Sequence, residues 1–302
     1  MASETAEVCQ HDDSVAQSGK QERLSSIFNE QSNNTIIVAL DDSSITGPEH
    51  GLRDMEGAVR TAVEHEADAI LGFYGLFKNY PRLTEGTAGI LNLTLSTGGP
   101  DHLSKVLIGR VEQVANSEFG LAAASVHVNT TSPNERTMLG ILGLTAAYCD
   151  DPEVRVPLLA HMYPRRIKDG HEDHYDTLKA EEPEEYAKLV RHAARIAADL
   201  GADIIKVPFT GSAETFQTVV ESAYGLPVVM AGGPKIHVPE FMHNAHAAME
   251  AGARGIAVGR NFFEQESHHE GGLVLSALHR IVHSDYTPQD ALGEVGLIYT
   301  GE

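Results

Sequence analysis

The chain has 302 residues, 42% of them hydrophobic, and a formal net charge of -21 at pH 7. That length suffices for the core of one α/β barrel, which takes about 250 residues, with a tail to spare, and no apolar run reaches the ~20 residues of a membrane-spanning helix. The 43 acidic against 22 basic side chains repel nucleic acid and acidic membrane surfaces, so neither is expected as a partner.

In chain order, residues 1–28 carry neither a basic n-region nor an apolar h-region. They read as a mobile acidic tail ahead of a single domain over 29–302. Cys9 lies in the tail and Cys149 near the end of a predicted helix, a pair that makes no disulfide framework or zinc-ligand pattern. A cytoplasmic location follows. The acidity suits solubility and would also suit a high-salt habitat, and it does not conflict with an anionic substrate held by a few local donors.

From about residue 35 to 285, short apolar, β-branched runs alternate with helical patterns, the sequence form of repeated βα units around a parallel sheet. Strands are predicted at 36–40, 69–73, 90–95, 124–128, 156–160, 204–207, 227–231 and 255–258. Their near-continuous hydrophobicity suits strands covered on both faces. Helices are predicted at 53–66, 103–117, 134–149, 184–200, 213–224, 239–251 and 273–283, several ending at a glycine before the next strand. Eight strands with this rhythm predict a (β/α)8 TIM barrel, with a doubly wound open sheet as the alternative. The longest connection, RRIKDGHEDHYDTLKAEE between Pro164 and Pro183, is expected to be a mobile lid or an interface element.

In a barrel, the loops at the carboxyl ends of the strands carry the chemistry. The segment GADIIKVPFTGS puts Lys206 inside an apolar strand, where a surface lysine is not expected. Burying an ammonium is costly and favours the neutral amine, which attacks a carbonyl to form an iminium; the alternative is a lysine paired with a carboxylate at the strand's end. The next two strands end in VVMAGGPK and GIAVGRN, placing Gly232, Gly233, Gly259 and Arg260 where barrels bind phosphate. Taken singly, each motif also fits a tight turn. Asp41 and Asp42 follow the first strand, and either one serves as an acid/base, as an orienting carboxylate for the lysine, or as an N-cap or turn residue. Tyr163 ends the fifth strand two residues after His161 and is either a proton relay or a packing residue. His127 ends the fourth strand and either lines the pocket or sits satisfied in the core.

With RLSSIFN, TGPEHGL, SVHVN, MYPR, VRHAARIAADLGADIIK, TGS, VVMAGGPK and AVGRN in view, the chain resembles the archaeal-type class I aldolases of the DeoC/LacD group over roughly residues 23–290. That group includes fructose-bisphosphate aldolase and 2-amino-3,7-dideoxy-D-threo-hept-6-ulosonate synthase. The resemblance implies that Lys206 forms the Schiff base, Tyr163 donates or accepts the proton, and Asp41 assists. It also implies that the glycine-rich ends of strands seven and eight hold the phosphate of a ketose phosphate, with no metal or other cofactor. Relatives in the group form homo-oligomers.

The departures lie around the mouth. The group's Asp-His-Gly after strand one is here Asp41-Asp42-Ser43. His161 stands where the fructose-bisphosphate aldolases carry tryptophan, and Arg166 replaces the glycine after MYPR. These changes imply a retained dihydroxyacetone phosphate-type donor and an altered aldehyde acceptor. Aspartate semialdehyde is one such acceptor, as in 2-amino-4,5-dihydroxy-6-oxo-7-(phosphonooxy)heptanoate synthase; its amino group would pair with Asp42. Competing readings are a phosphorylated-dione thiolase of the same group, a metal-dependent barrel hydrolase suggested by the 16 histidines, and a noncatalytic binding protein.

Overall fold

The computed structural model describes residues 13–48, 50–99 and 102–297. Eight parallel strands close into a barrel: β1 Thr35–Ala39, β2 Ala69–Gly72, β3 Ala88–Asn92, β4 Leu121–Thr130, β5 Leu158–Pro164, β6 Ile204–Pro208, β7 Val228–Ala231 and β8 Gly255–Val258. Each strand bonds to its neighbours in sequence, and β8 closes on β1 with Thr35 opposite Gly255. Closure leaves no strand edge open. It also crowds the seam: a Cβ at Gly255 would stand 2.1 Å from the Thr35 carbonyl oxygen, so only glycine fits.

Because side chains alternate across a strand, the barrel builds two cores. Ile37, Leu71, Ile90, Leu159, Ile204, Val229 and Ala257 fill the lumen. Their neighbours, among them Val38, Ile70, Leu91, Val126, Ala160, Ile205, Met230 and Ile256, pack outward under the helices. The helix Pro183–Asp199 shows how the sequence achieves this: proline and two glutamates occupy its first turn, and Tyr186, Ala187, Val190, Ala193, Ala194 and Ala197 bury one face. It ends at Gly201, whose φ of +92° turns the chain back toward β6.

Two expectations need correction. Part of the segment read as a mobile tail is built into the fold. Residues Asp13–Ser25 form helix α1, and Ile27, fully buried, closes the lumen from below with Leu24 and Phe28 beside it. Arg23 donates to the carbonyls of Leu121 (2.8 Å) and Ala115 (3.1 Å), and Lys20 pairs with Asp203 at 2.9 Å. Residues 1–12, with Cys9, lie outside the described residues.

The helix expected at 103–117 is instead a short strand, Val106–Leu107, paired antiparallel to Thr94–Leu95, followed by one helical turn, Glu112–Ala115. The cause is local. Val106, Leu107 and Ile108 are consecutive rather than helically spaced, and Gly109 interrupts any helix after them.

The connection 165–182 folds as an antiparallel hairpin, Arg166–Lys168 with His171–Asp173, then a short helix, Asp176–Glu181. Its turn residues Asp169 and Gly170 have φ of 52° and 79°, the left-handed pair that an Asp-Gly hairpin turn uses.

The plug yields a stability prediction. Ile27→Ala should cost about 2–5 kcal/mol, read as a lowered midpoint in denaturant unfolding. An unchanged midpoint would mean that the lumen does not depend on residues 13–28.

Candidate active site

The lumen changes character toward the carboxyl ends of the strands. The inward rows continue Ile37, Ala39, Asp41 on β1, Ile90, Asn92 on β3, Ser125, His127 on β4, Leu159, His161, Tyr163 on β5 and Ile204, Lys206 on β6. The apolar layers thus end under a polar one. There Lys206, His161, Tyr163, His127, Asp41, Asp42, Gly232, Gly233, Gly259 and Arg260 line a single cavity of about 170 Å³. Every residue singled out above for catalysis or binding is brought together in it.

Lys206 is 6% exposed and lies opposite His161 in the β5–β6 register. Asp41 accepts a hydrogen bond from the Asn92 side-chain amide at 2.7 Å. Burial raises Asp41 above its ordinary carboxylate range, against the opposing pull of the Lys206 charge and the Asn92 amide. The lysine and the first-strand carboxylate therefore sense each other inside the cavity.

His127 and His161 stack with ring centroids 5.7 Å apart and planes within 7°, and His127 lies 5.0 Å from the Tyr163 ring. Burial, reinforced by the Lys105 and Arg165 charges for His127 and by Lys206 and Lys105 for His161, drives both well below the ordinary 6.5. Two neutral imidazoles then stand beside a phenol.

The glycine turns are braced by a residue that sequence reasoning did not single out. Asn261 is 2% exposed; its amide donates to the carbonyls of Gly232 (2.9 Å) and Pro234 (3.0 Å), and its oxygen accepts from the Ile236 N–H. This fixes the loop after β7 to the turn after β8. Gly233 has φ +70°, and a Cβ at Gly259 would approach the Ala39 carbonyl oxygen at 3.2 Å, so both positions favour glycine for backbone reasons.

His102, Arg165 and His174 also line the cavity and were likewise not expected. All three converge on Glu172 of the hairpin, with His102 Nδ1 at 2.5 Å, His174 Nε2 at 2.5 Å and Arg165 Nη1 at 3.1 Å. Burial would raise Glu172, but these hydrogen bonds and the Arg165 charge outweigh it and hold the carboxylate well below its usual range. Lys105, 4% exposed, donates to Ser96 Oγ, and burial together with the Arg165 charge pushes it down to about 8. Asn92 was findable, being two residues after an inward isoleucine. His102 and His174 lie on loops and Glu172 on a three-residue strand, where no periodicity marks them.

Residues 35–265 match the model of the DeoC/LacD family aldolases. The chain belongs to that family. As a DeoC/LacD aldolase it is a carbon–carbon lyase of the Schiff-base type. Among its relatives, 2-amino-3,7-dideoxy-D-threo-hept-6-ulosonate synthase of Halobacterium salinarum is 33% identical over 288 residues, covering 94% of this chain and 99% of that protein. The 2-amino-4,5-dihydroxy-6-oxo-7-(phosphonooxy)heptanoate synthase of Streptomyces griseus is 31% identical over 277 residues, covering 91% and 94%. Of solved structures, an archaeal fructose-1,6-bisphosphate aldolase with its catalytic lysine covalently bound to a carbinolamine intermediate superposes with TM-score 0.73 at 26% identity, covering 87% of this chain and 99% of that one.

The two neutral histidines predict a pH dependence. Below 6.5 the unfolded chain binds protons that the folded chain refuses, so acidification lowers stability by about 1.4 kcal/mol per pH unit for each histidine. Denaturant midpoints measured from pH 7 to pH 5 should fall less steeply for His161→Gln than for the wild type; equal slopes would mean that His161 is protonated in the folded protein.

Proposed function

We propose that the chain joins, or in reverse cleaves, a dihydroxyacetone phosphate-type donor and an aldehyde, with Lys206 as the covalent residue. The observation that carries this is the convergence of Lys206, Asp41 and Tyr163 in one cavity beside the glycine turns of β7 and β8. The Lys206 amine adds to the donor ketone and water leaves, giving an iminium that draws electrons from the adjacent carbon. Loss of a proton from that carbon gives an enamine, which attacks the aldehyde carbon; the new alkoxide takes up a proton, and water releases the product by hydrolysing the iminium. Tyr163 and Asp41 are the groups placed to move these protons. Gly232, Gly233, Gly259 and Arg260 would hold the phosphate by close backbone approach and a charge-assisted hydrogen bond.

The iminium does the electrophilic work that a Lewis-acid metal does elsewhere, so the reaction is proposed to be metal-independent and to persist in a chelator. For the acceptor we favour aspartate semialdehyde. Asp42 lines the cavity with its Oδ2 buried and without a hydrogen-bond partner among the described residues, and an ammonium would satisfy it. His161 would line the acceptor side. The curated relatives, both named as amino-heptose-type synthases, support this reading, whereas the structural neighbours support fructose-bisphosphate aldolase as the second. A cytoplasmic homo-oligomer with no nucleic-acid or membrane partner completes the proposal. Among the described residues no helix is long and apolar enough to cross a membrane.

Borohydride treatment with dihydroxyacetone phosphate should leave a reduced adduct on the Lys206 peptide by mass spectrometry, absent in Lys206→Ala. A folded wild type without adduct would refute this donor. Tyr163→Phe should still form the adduct while lowering turnover by about 10²–10⁴-fold; full turnover would remove Tyr163 from the proton path.

A further inference from the structure

The barrel order fixes which side of the cavity is left for the acceptor. With Lys206 on β6 and the glycine turns on β7 and β8, the donor occupies that arc. In a closed ring of eight, β2 lies across from β6, so the loops after β1 and β3 face the donor's reacting carbon. The loop after β1 carries Asp42, and the loop after β3 carries His102. The ends of these two strands are tied together by the hydrogen bond from Asn92 to Asp41.

His102 is not a loosely held loop residue. Its ring is fixed by Glu172 at Nδ1, and its carbonyl accepts from Ser96 Oγ at 2.8 Å, the hydroxyl that Lys105 also reaches. With Nδ1 committed to a carboxylate, the ring's remaining hydrogen-bonding atom is Nε2. That Nε2 is buried and has no hydrogen-bond partner among the described residues, like Asp42 Oδ2 in the same cavity. Two unsatisfied polar atoms on the acceptor side each cost free energy until a partner arrives. No residue of the proposed mechanism uses His102 or Glu172.

We propose that His102 is a specificity-determining residue, positioned by Glu172, that together with Asp42 hydrogen-bonds an acceptor aldehyde bearing an ammonium or hydroxyl group. This rests on the aldolase reading above. Glu172 acts through His102: the hairpin delivers it across the mouth, where it also holds Arg165 and His174. An aldehyde with no polar substituent leaves both groups unpaired and is disfavoured, the same logic by which a polar site rejects an analogue that lacks the matching group.

The test compares aspartate semialdehyde, glyceraldehyde and propionaldehyde as acceptors, with dihydroxyacetone phosphate as donor, in wild type, His102→Phe, Glu172→Ala and Glu172→Gln. Borohydride trapping on Lys206 reports in every variant whether the donor half is intact. The preference for the polar aldehydes over propionaldehyde, as a ratio of kcat/KM, should fall by about tenfold in His102→Phe and Glu172→Ala, mainly through the acceptor KM. Glu172→Gln, whose amide oxygen still accepts from Nδ1–H, should recover most of it. A larger loss for aspartate semialdehyde than for glyceraldehyde identifies the ammonium as the group read, and the reverse identifies the hydroxyl. An unchanged preference, or an equal loss on all three aldehydes, overturns the inference while leaving the aldolase reading standing. Absence of a trapped donor on the wild type overturns the proposed donor, the part of the aldolase reading on which this inference rests.

Discussion

Everything in this molecule depends on placing one ammonium in the lumen of a closed apolar barrel. A lysine two residues beyond Ile204 on an inward row cannot reach bulk water around the strand, so its surroundings must supply what water would. They do so selectively. One carboxylate, Asp41, faces it and is itself held by Asn92, while the nearest imidazoles remain neutral because they are buried beside positive charge. Cation repulsion and carboxylate attraction are set by the same alternation that fills the lower lumen with isoleucine, leucine and valine. The chemistry is thus the top layer of the packing, not an addition to it.

The architecture divides labour around the rim. The turns after β7 and β8 are tied together because Asn261, in the second, bonds the first, and their glycines meet backbone constraints that a side chain would violate. The arc from β1 to β5 carries the polar and aromatic groups, and the hairpin after β5 adds a second shell centred on Glu172. A covalent, electronically demanding half thus sits on short strands and tight turns, and a recognising half sits on longer loops, as expected when loops vary on a fixed scaffold.

Much of this was legible in the chain alone. The eight strands read as near-continuous apolar runs because each is covered on both faces. Lys206 stood out because a lysine contradicts its apolar strand, and Gly232, Gly233 and Gly259 stood out because they follow such strands directly. What escaped did so for physical reasons. The segment at 103–117 has enough apolar residues for a helix, yet its consecutive apolar run puts Val106 and Leu107 into a paired strand. His102 and Glu172 are 70 residues apart and meet only because a hairpin folds across the barrel mouth. Residues 13–28 look solvent-loving because Arg23 and Lys20 dominate them, but those charges bond carbonyls and a carboxylate from β4 and β6 territory.

That last feature bears on how the chain comes to be folded at all. The plug formed by Leu24, Ile27 and Phe28 precedes every barrel strand in the chain, yet the lumen that receives it needs Ile204, Val229 and Ala257, and Lys20 waits for Asp203. Through most of synthesis these apolar side chains have no home, and the contacts that bury them span nearly the whole sequence, the kind that form slowly. The docked plug then records that the barrel has closed.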